Sequence, residues 1–324
     1  MLRLIRYQDT MKESWNNFLG TAINGHFFFH RDYFLHQKER FEDHSVIVFK
    51  DAAIAGVFAA VEITDESGVK EWCTHLGLSF GGLIQSSSIG MNTVAEIFRE
   101  LKWYLLKNGF SNVKYKAMPH IYYSTVSFED RYALFINGAK QWYTQPYSVI
   151  PQDTYRGLSS RQKTRIRSVL KNSAVHFSDI QTEQELREFY HGLCANLEKK
   201  YGVQPVHSLD ELKQLKMLFP DNVLIKALRQ DTKILAGVVL FVSNHVTHAQ
   251  YLYNTPQGQK VDGLMILLDK IIGEYNKNYF FSLGTSSEEE GRVLNSGLIQ
   301  FKEKFGARTL TQDFYIWRLK EGCN

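Results

Sequence analysis

The stretch Gly284 to Ala307, GTSSEEEGRVLNSGLIQFKEKFGA, concentrates acids, hydroxyls, an amide and lysines among regularly spaced apolar residues. Leu294, Leu298, Phe301 and Phe305 recur at intervals of 4, 3 and 4, which predicts a helix from about Arg292 with one buried face. Asn295, Ile299 and Lys302 form the neighbouring stripe, so an amide and an ammonium flank the core face. Ser286, Ser287 and Glu288 lead into this helix from the strand-like YFFSL, at the sheet end where open α/β folds hold ligands. A carboxylate there could act as a general base, which makes Glu288 the first candidate. The alternative account of Glu288, Glu289 and Glu290 is that acids stabilise a helix N-terminus by about 0.3–1 kcal/mol each. Ser286, Asn295 and Lys302 are candidates for binding substrate.

Further candidates lie outside this stretch. His207 precedes Ser208, and Ser208 with Glu211 fits a capping box, so His207 is expected at an exposed corner where it could shuttle a proton or only staple the helix. His75 leaves a strand into a glycine loop whose Gly77, Gly81 and Gly82 imply close approach to a ligand or to a neighbouring segment. The junction NTPQGQKVDG, Asn254 to Gly263, precedes a helical pattern. Gly258 and Gly263 would let backbone approach a phosphate there, with Gln257, Gln259 and Lys260 adding donors, although a plain polar turn reads the same way. In YRGLSSRQKTRIRSVLKN, Arg156, Arg161, Lys163, Arg165, Arg167 and Lys171 carry no acidic partner in the segment. Such a segment could dock a diphosphate, a nucleotide or tRNA through Arg161 and Arg165, or be a solvated linker helix.

Other site types find no support. The eleven histidines show no HExxH, the cysteines show no CxxC, and there is no GxSxG elbow, Walker loop or GxGxxG. No metal site is therefore expected, and the chemistry left is that of positioning, a base and polarising donors.

These residues need elements to hold them, and the chain supplies two similar sets. In the first half, SVIVF and AAIAGVFAAVEI (Ala52 to Ile63) flank Lys50 and Asp51 as a hairpin, and a third strand follows near Trp72 to Leu76. A helix then places Val94, Ile97, Phe98, Leu101, Tyr104 and Leu105 inward, and NVKYKAM follows as a strand. The second half repeats this with VLIKAL, KILAGVVLFV, HVTHAQYLY, a helix burying Leu264, Leu268, Ile271, Ile272 and Tyr275, and YFFSL. Asp51 to Gly56 lines up with Asp231 to Gly237 if one residue is inserted, which reads as a duplication. The expected fold is α/β (α+β): tandem units, each a mixed, mostly antiparallel sheet flanked by helices, over 1–151 and 183–324 with a basic linker region at 152–182. With 324 residues and 44% hydrophobic content, two cores are affordable in size. A net charge of +4 is too small over this length to imply nucleic-acid binding without a concentrated patch, and no DNA partner is expected. Cys73, Cys194 and Cys323, odd in number and far apart, suit a reducing cytoplasm. The longest apolar run, Ile234 to Val242, is about half a membrane span, so no membrane insertion is expected.

Several phrases are long enough to carry a family likeness: Asn24-Gly-His-Phe-Phe-Phe-His-Arg31, CTHLGLSFGGLI, KAMPHIYY, YALFINGA, PVHSLDEL, FPDNVLIKAL, AQYLYN and GTSSEEEGRVLNSGLIQFKEKFGAR. Through them the chain resembles the Fem-type (FemAB-like) branch of the GNAT acyltransferase superfamily, and more narrowly a bacterial group associated with surface-polysaccharide biosynthesis. The resemblance implies tandem GNAT-like domains, an acyl donor bound mainly by the second unit, and an acceptor in a cleft between units. The GNAT pyrophosphate loop is present only in the degenerate form QGQKVDG. The implied reaction is transfer of an acetyl or other acyl group from acyl-CoA to a small-molecule amine, foremost that of a nucleotide-linked amino sugar, by direct attack. Glu288 or His207 would be the base and Tyr251 the acid for the leaving thiolate, unless Tyr251 is a core residue. Two alternatives remain: an aminoacyl-tRNA-dependent peptidyltransferase of the peptidoglycan type, with Arg156 to Lys171 on tRNA, and a non-catalytic binding protein of the same fold. Oligomeric state is not legible.

Overall fold

A computed structural model describes residues 1–37, 40–275 and 279–320; Cys323 lies outside the described residues. The chain forms two compact units, one of Met1–Gln145 with Glu289–Gly291 and the chain from Thr311, the other of Pro146–Glu288 with Arg292–Leu310. Membership follows strand partners rather than the contiguous ranges 1–151, 152–182 and 183–324. The end of the last strand, Arg308–Arg318, pairs with Asn112–Lys116 in the first unit, and Tyr147 to Pro151 pair with Phe280–Thr285 in the second. The basic segment is helix Ser160–Asn172, a member of the second unit that contributes Ile166 to its core.

In the first unit, Leu2–Arg6, Val46–Lys50, Ala53–Phe58 and Leu83–Gln85 form one antiparallel sheet. Val61–Thr64 and Lys70–Cys73 form an antiparallel pair, and Lys70–Cys73 then runs parallel to Asn112–Lys116. The expected single strand from Ala52 to Ile63 is thus two. It breaks at Ala59 and Ala60, which are both fully buried, so no change of polarity marks the break. Helix Met91–Lys107 buries Val94, Ile97, Phe98, Leu101 and Leu105 as its period requires, with Tyr104 at the edge of that face and its hydroxyl 3.1 Å from His44 Nε2.

In the second unit, Val175–Asp179, Val223–Gln230, Lys233–Val242 and Val246–Asn254 are antiparallel neighbours, followed by Phe280–Thr285, which is parallel to Val246–Asn254. Helix Gly263–Glu274 packs through Ile266, Leu267, Ile271 and Ile272 on the sheet face that carries Ala236, Val238 and Leu240. Side chains alternate across a strand, so Gly237, with Phe189 and Tyr253 close against it, belongs to the opposite face, covered by helix Glu183–Tyr201.

The two hairpins are built alike. Asp51 and Asp231 both sit at the turn with φ of 54° and 51°. In each, the second pair beyond the turn (Phe49 with Ile54, Arg229 with Ile234) is followed by a one-residue bulge, at Ala55 and at Leu235. No insertion is needed, and Gly56 corresponds to Ala236 rather than to Gly237. The repeated turn and bulge are firmer signs of duplication than the glycine that first aligned the halves.

Candidate functional site

Strands Val246–Asn254 and Phe280–Thr285 pair only at Val246 with Phe280, Thr247 with Phe281 and His248 with Ser282, and then part. Both strands are irregular at that point. Gln250 is a bulge, because Val239 faces Tyr251 while Leu240 faces Ala249, and the other strand shifts register between Ser282 and Gly284, where Gly284 has φ of 70°. Bulges bend a strand and end its pairing, so the two edges diverge. The gap opens into a cavity of about 610 Å³. Gln250, Leu252 and Asn254 form one wall and Leu283 and Thr285 another, while Leu298, Phe301 and Lys302 from helix Ser296–Glu303, and Leu264 and Met265 from the start of helix Gly263–Glu274, complete it. Apolar walls with a few polar groups are the usual make-up of a small-molecule site.

Lys302 supplies the cavity's buried charge. It is 2% exposed, and its Nζ donates to the carbonyls of Gly284 (3.0 Å) and Thr285 (2.7 Å). Burial pulls its pKa down to about 7. An ammonium has three N–H donors, so one remains for a ligand. His248, at the last paired position, is buried with Nδ1 3.0 Å from Ser282 Oγ. Burial, together with the neighbouring Lys302 cation, lowers its pKa to about 4, so it is neutral near pH 7. The buried oxygens Gln250 Oε1 and Asn254 Oδ1 find no hydrogen-bond partner among the described residues.

A second cavity of about 660 Å³ adjoins the first and shares Lys200, Tyr201, Thr285, Asn295 and Leu298 with it. Ser286, Ser287 and Glu288 lie only in this second cavity. Ser286 is 2% exposed, and its Oγ also has no partner among the described residues. Both cavities are lined by the second unit alone.

Several expected placements change. The helix begins at Ser296, not near Arg292, with Asn295 as its N-cap accepting from the Leu298 N–H at 3.0 Å. Glu288 lies in a two-residue strand paired with Val293–Leu294, and Glu289 and Glu290 turn the hairpin at φ of 49° and 54°. The acids therefore do not form a helix N-terminus, and Leu294 is half exposed. Asn295 Nδ2 donates to Glu288 Oε1 at 3.3 Å, so these two candidates do meet.

His207 is buried rather than at an exposed corner, and its Nδ1 is 2.8 Å from Tyr251 Oη. Burial raises the Tyr251 pKa to about 12. This pair joins candidates that the sequence left apart, but on the wrong side: Gln250, Leu252 and Asn254 face the cavity, and alternation sends Tyr251 to the opposite face. Neither His207 nor Tyr251 lines either cavity.

In the expected phosphate loop, Pro256–Lys260 is a short helix capped by Thr255. A Cβ on Gly258 would lie 2.2 Å from the Leu235 carbonyl oxygen, and one on Gly263 would lie 3.2 Å from that of Gly258, so close chain packing accounts for both glycines. Gln259 lines the first cavity, whereas Gln257 bonds Gln230 at 3.0 Å and Lys260 is exposed. Arg165 is not without an acidic partner, since its Nε pairs with the Asp262 carboxylate, which lines the first cavity. Arg161 is exposed one helical turn away. His75 is buried in the first unit, with its Nδ1 accepting from the Gly77 N–H at 3.3 Å and its ring 4.5 Å from that of Phe34. The loop glycines there serve neighbouring chain, Gly81 against Thr74 and Gly82 against the Tyr115 hydroxyl.

His248, Lys200 and Tyr201 were not singled out from sequence. A lone histidine inside an apolar strand and two residues at a helix end have no periodic signature. Among the described residues no cluster of His, Cys, Asp or Glu could hold a metal ion, Cys73 and Cys194 are free thiols, and no helix is long and apolar enough to cross a membrane.

No family model and no curated protein matches the sequence. Solved structures do match in fold. FemX superposes with a TM-score of 0.70 at 10% identity, over 98% of this chain and 97% of that one. L-PGS from Bacillus licheniformis gives 0.62 at 14% identity, over 98% and 94%. A tandem GNAT protein from the clavulanic acid biosynthesis pathway gives 0.55 at 7% identity, over 99% and 100%. At such identities the likeness is one of architecture: the chain has the tandem GNAT-like fold, of mixed α/β units, that these proteins share.

Proposed function

We propose that the second unit is the catalytic unit of a cytoplasmic N-acyltransferase, which moves an acyl group, acetyl in the simplest case, from acyl-CoA to the amine of an amino sugar or related surface-polysaccharide precursor. The observation that carries this reading is the parting of Val246–Asn254 from Phe280–Thr285 over a buried amine, that of Lys302. Acyl-CoA would supply the activated thioester carbonyl. The orphaned oxygens of Gln250 and Asn254 suit the amide N–H groups of an extended arm, and Arg165, paired with Asp262 just before helix Gly263–Glu274, with Arg161 one turn earlier in its own helix, suits its phosphates.

In this scheme the acceptor amine attacks the carbonyl, a C–N bond forms and the C–S bond breaks. The remaining Lys302 N–H stabilises the developing oxyanion, a contribution worth about 3–4 kcal/mol in other enzymes. Glu288, in the adjoining cavity, takes the proton from the attacking amine. The thiolate leaves and is protonated by water, because Tyr251 lies on the opposite face of the sheet. His207 is set aside as a base for the same reason.

A second reading, transfer from aminoacyl-tRNA, is favoured by one observation. The basic helix Ser160–Asn172 borders the first cavity, through Arg165 on Asp262 and Gln162 Nε2 3.9 Å from Met265 Sδ. The deciding experiment incubates the full chain with acyl-CoAs and amino sugars and follows free thiol and acylated product by mass. Product lost in Lys302→Met supports the first reading. Turnover only with aminoacyl-tRNA, abolished by the double change Arg161→Glu and Arg165→Glu, would replace it with the second.

A further inference from the structure

The second cavity has a polarity that the donor does not require. Its wall carries one carboxylate, Glu288, whose hydrogen bond comes from the neutral amide of Asn295. Another wall carries the ammonium of Lys200, in the last turn of helix Glu183–Tyr201. Neither forms an ion pair with any described residue. The same cavity is lined by Ser286, almost wholly buried, with a hydroxyl that neither donates nor accepts a hydrogen bond among the described residues. A buried polar group left without a hydrogen bond is costly, and a ligand that pairs with it recovers that cost. Tyr201, half exposed, adds an aromatic face at the rim.

A ligand that satisfies all of these groups carries a cation for Glu288, a hydroxyl for Ser286 and an anion for Lys200. We infer that the second cavity is the acceptor subsite, and that it takes a hydroxylated amine bearing an anionic group, a class that includes the amino-sugar phosphates. This inference rests on the acyl-transfer reading for the direction of the reaction, and on Glu288, Ser286 and Lys200 for the identity of the acceptor. In the subsite Glu288 binds the ammonium form; one proton goes to solvent to free the amine, Glu288 takes the second from the attacking nitrogen, Ser286 reads a hydroxyl, and Lys200 binds the phosphate. Asn295, which is hydrogen-bonded to Glu288, lines both cavities, so the amine held at Glu288 stands beside the first cavity and bond formation needs no large movement of the acceptor.

The test is calorimetric titration of the full chain with glucosamine 6-phosphate, glucosamine and glucose 6-phosphate, none of which requires turnover. Each charge-assisted contact is worth about tenfold or more in affinity. Glucosamine 6-phosphate should bind at least tenfold more tightly than either truncated probe. Glu288→Gln should weaken only the two amines, Lys200→Met only the two phosphates, and Ser286→Ala all three sugars. All three variants should keep the wild-type melting temperature to within a few degrees, and a folded Ser286→Ala with unchanged affinity counts against the subsite. Failure of glucosamine 6-phosphate to bind, or equal weakening of all probes by Glu288→Gln and Lys200→Met, overturns the inference. A parallel titration with acetyl-CoA separates the two claims. Acetyl-CoA binding without sugar binding leaves the donor reading standing and removes the subsite; sugar binding with the predicted pattern but no acetyl-CoA binding does the reverse.

Discussion

Lys302→Met changes a buried charge into an apolar chain of similar length, and its consequence has a definite sign. The lysine falls from an ordinary pKa of 10.5 to about 7 because burial disfavours its charged form. At about 1.36 kcal/mol per unit, holding the ammonium inside costs the native state about 5 kcal/mol. Because the folded pKa is the lower one, the penalty is complete below about pH 7, where native and unfolded chains are both protonated. It is relieved as pH rises from about 7 towards 10.5, where only the unfolded chain holds the proton. Methionine escapes this penalty but leaves the Gly284 and Thr285 carbonyls without their donor, at about 1–3 kcal/mol each. The two effects nearly offset at pH 6, so the variant should fold with stability close to that of the wild type. Between pH 7 and 9 the wild type should gain about 2 kcal/mol relative to the variant, since over that interval the native lysine goes from half protonated to nearly neutral. All five tryptophans lie in the first unit, so their fluorescence does not report on this site. Hydrogen exchange of the amides in Phe280–Thr285, corrected for intrinsic rates at each pH, does. Parallel stability profiles for the two proteins over pH 7 to 9 would refute the argument, because they would mean that Lys302 titrates as an ordinary solvated lysine.

Two further predictions concern residues whose roles the structure reassigns. Tyr251→Phe removes the hydroxyl bonded to His207 and should lower stability by about 1–2 kcal/mol, while the pH profile of acyl transfer stays as in the wild type; loss of the basic limb of that profile would restore Tyr251 as the acid. Gly258→Ala places a methyl 2.2 Å from the Leu235 carbonyl oxygen and should cost about 1–3 kcal/mol, read as a lowered melting temperature; an unchanged melt would free this glycine for a role at a ligand.

What the sequence conveys and what it conceals divide along the range of the interactions. Helices Met91–Lys107 and Gly263–Glu274 were legible because a 3.6-residue period records which face is buried. The hairpins were legible because apolar runs flank a short polar turn. The helix expected from Arg292 failed because Leu294 matches the period while standing in a two-residue strand, too short to show a period of its own. His207 reads as exposed from its place before a cap, yet the phenol that buries it comes from 44 residues away. Within the site, Glu288, Ser286, Asn295, Lys302 and Gln259 were named from sequence and do line the cavities, since they fall in one short polar stretch or at a strand-to-helix junction. Lys200 and His248 come from a helix end and a strand interior, and only the parted strands bring them near Lys302.

The duplicated architecture also explains why one copy is open and the other is not. In both units the parallel pairing lasts three residues, Glu71 to Cys73 against Asn112 to Lys114 in the first, and Val246 to His248 against Phe280 to Ser282 in the second. Beyond that point the second unit continues its strand through the Gln250 bulge, and the gap stays free as the first cavity. The first unit instead leaves its strand at Cys73 and resumes pairing only at Leu83, so Thr74 to Gly82 become a loop. That loop is bound to the strand its own strand parts from. The Gly81 N–H donates to the Lys116 carbonyl at 3.0 Å, Lys116 Nζ donates to the Leu78 carbonyl at 2.5 Å, and Leu78 and Phe80 are buried. Burial lowers the Lys116 pKa to about 8, much as it lowers that of Lys302 to about 7. Each copy therefore sets a desolvated lysine beside the parted strands, but in the first the carbonyl it serves belongs to the plug. The glycine-rich text around His75, which reads as a ligand loop, is the segment that fills this gap, and its glycines are needed because backbone must pass against Thr74 and Tyr115. One unit thus fills its gap with core, and the other leaves it open beside the third N–H of Lys302.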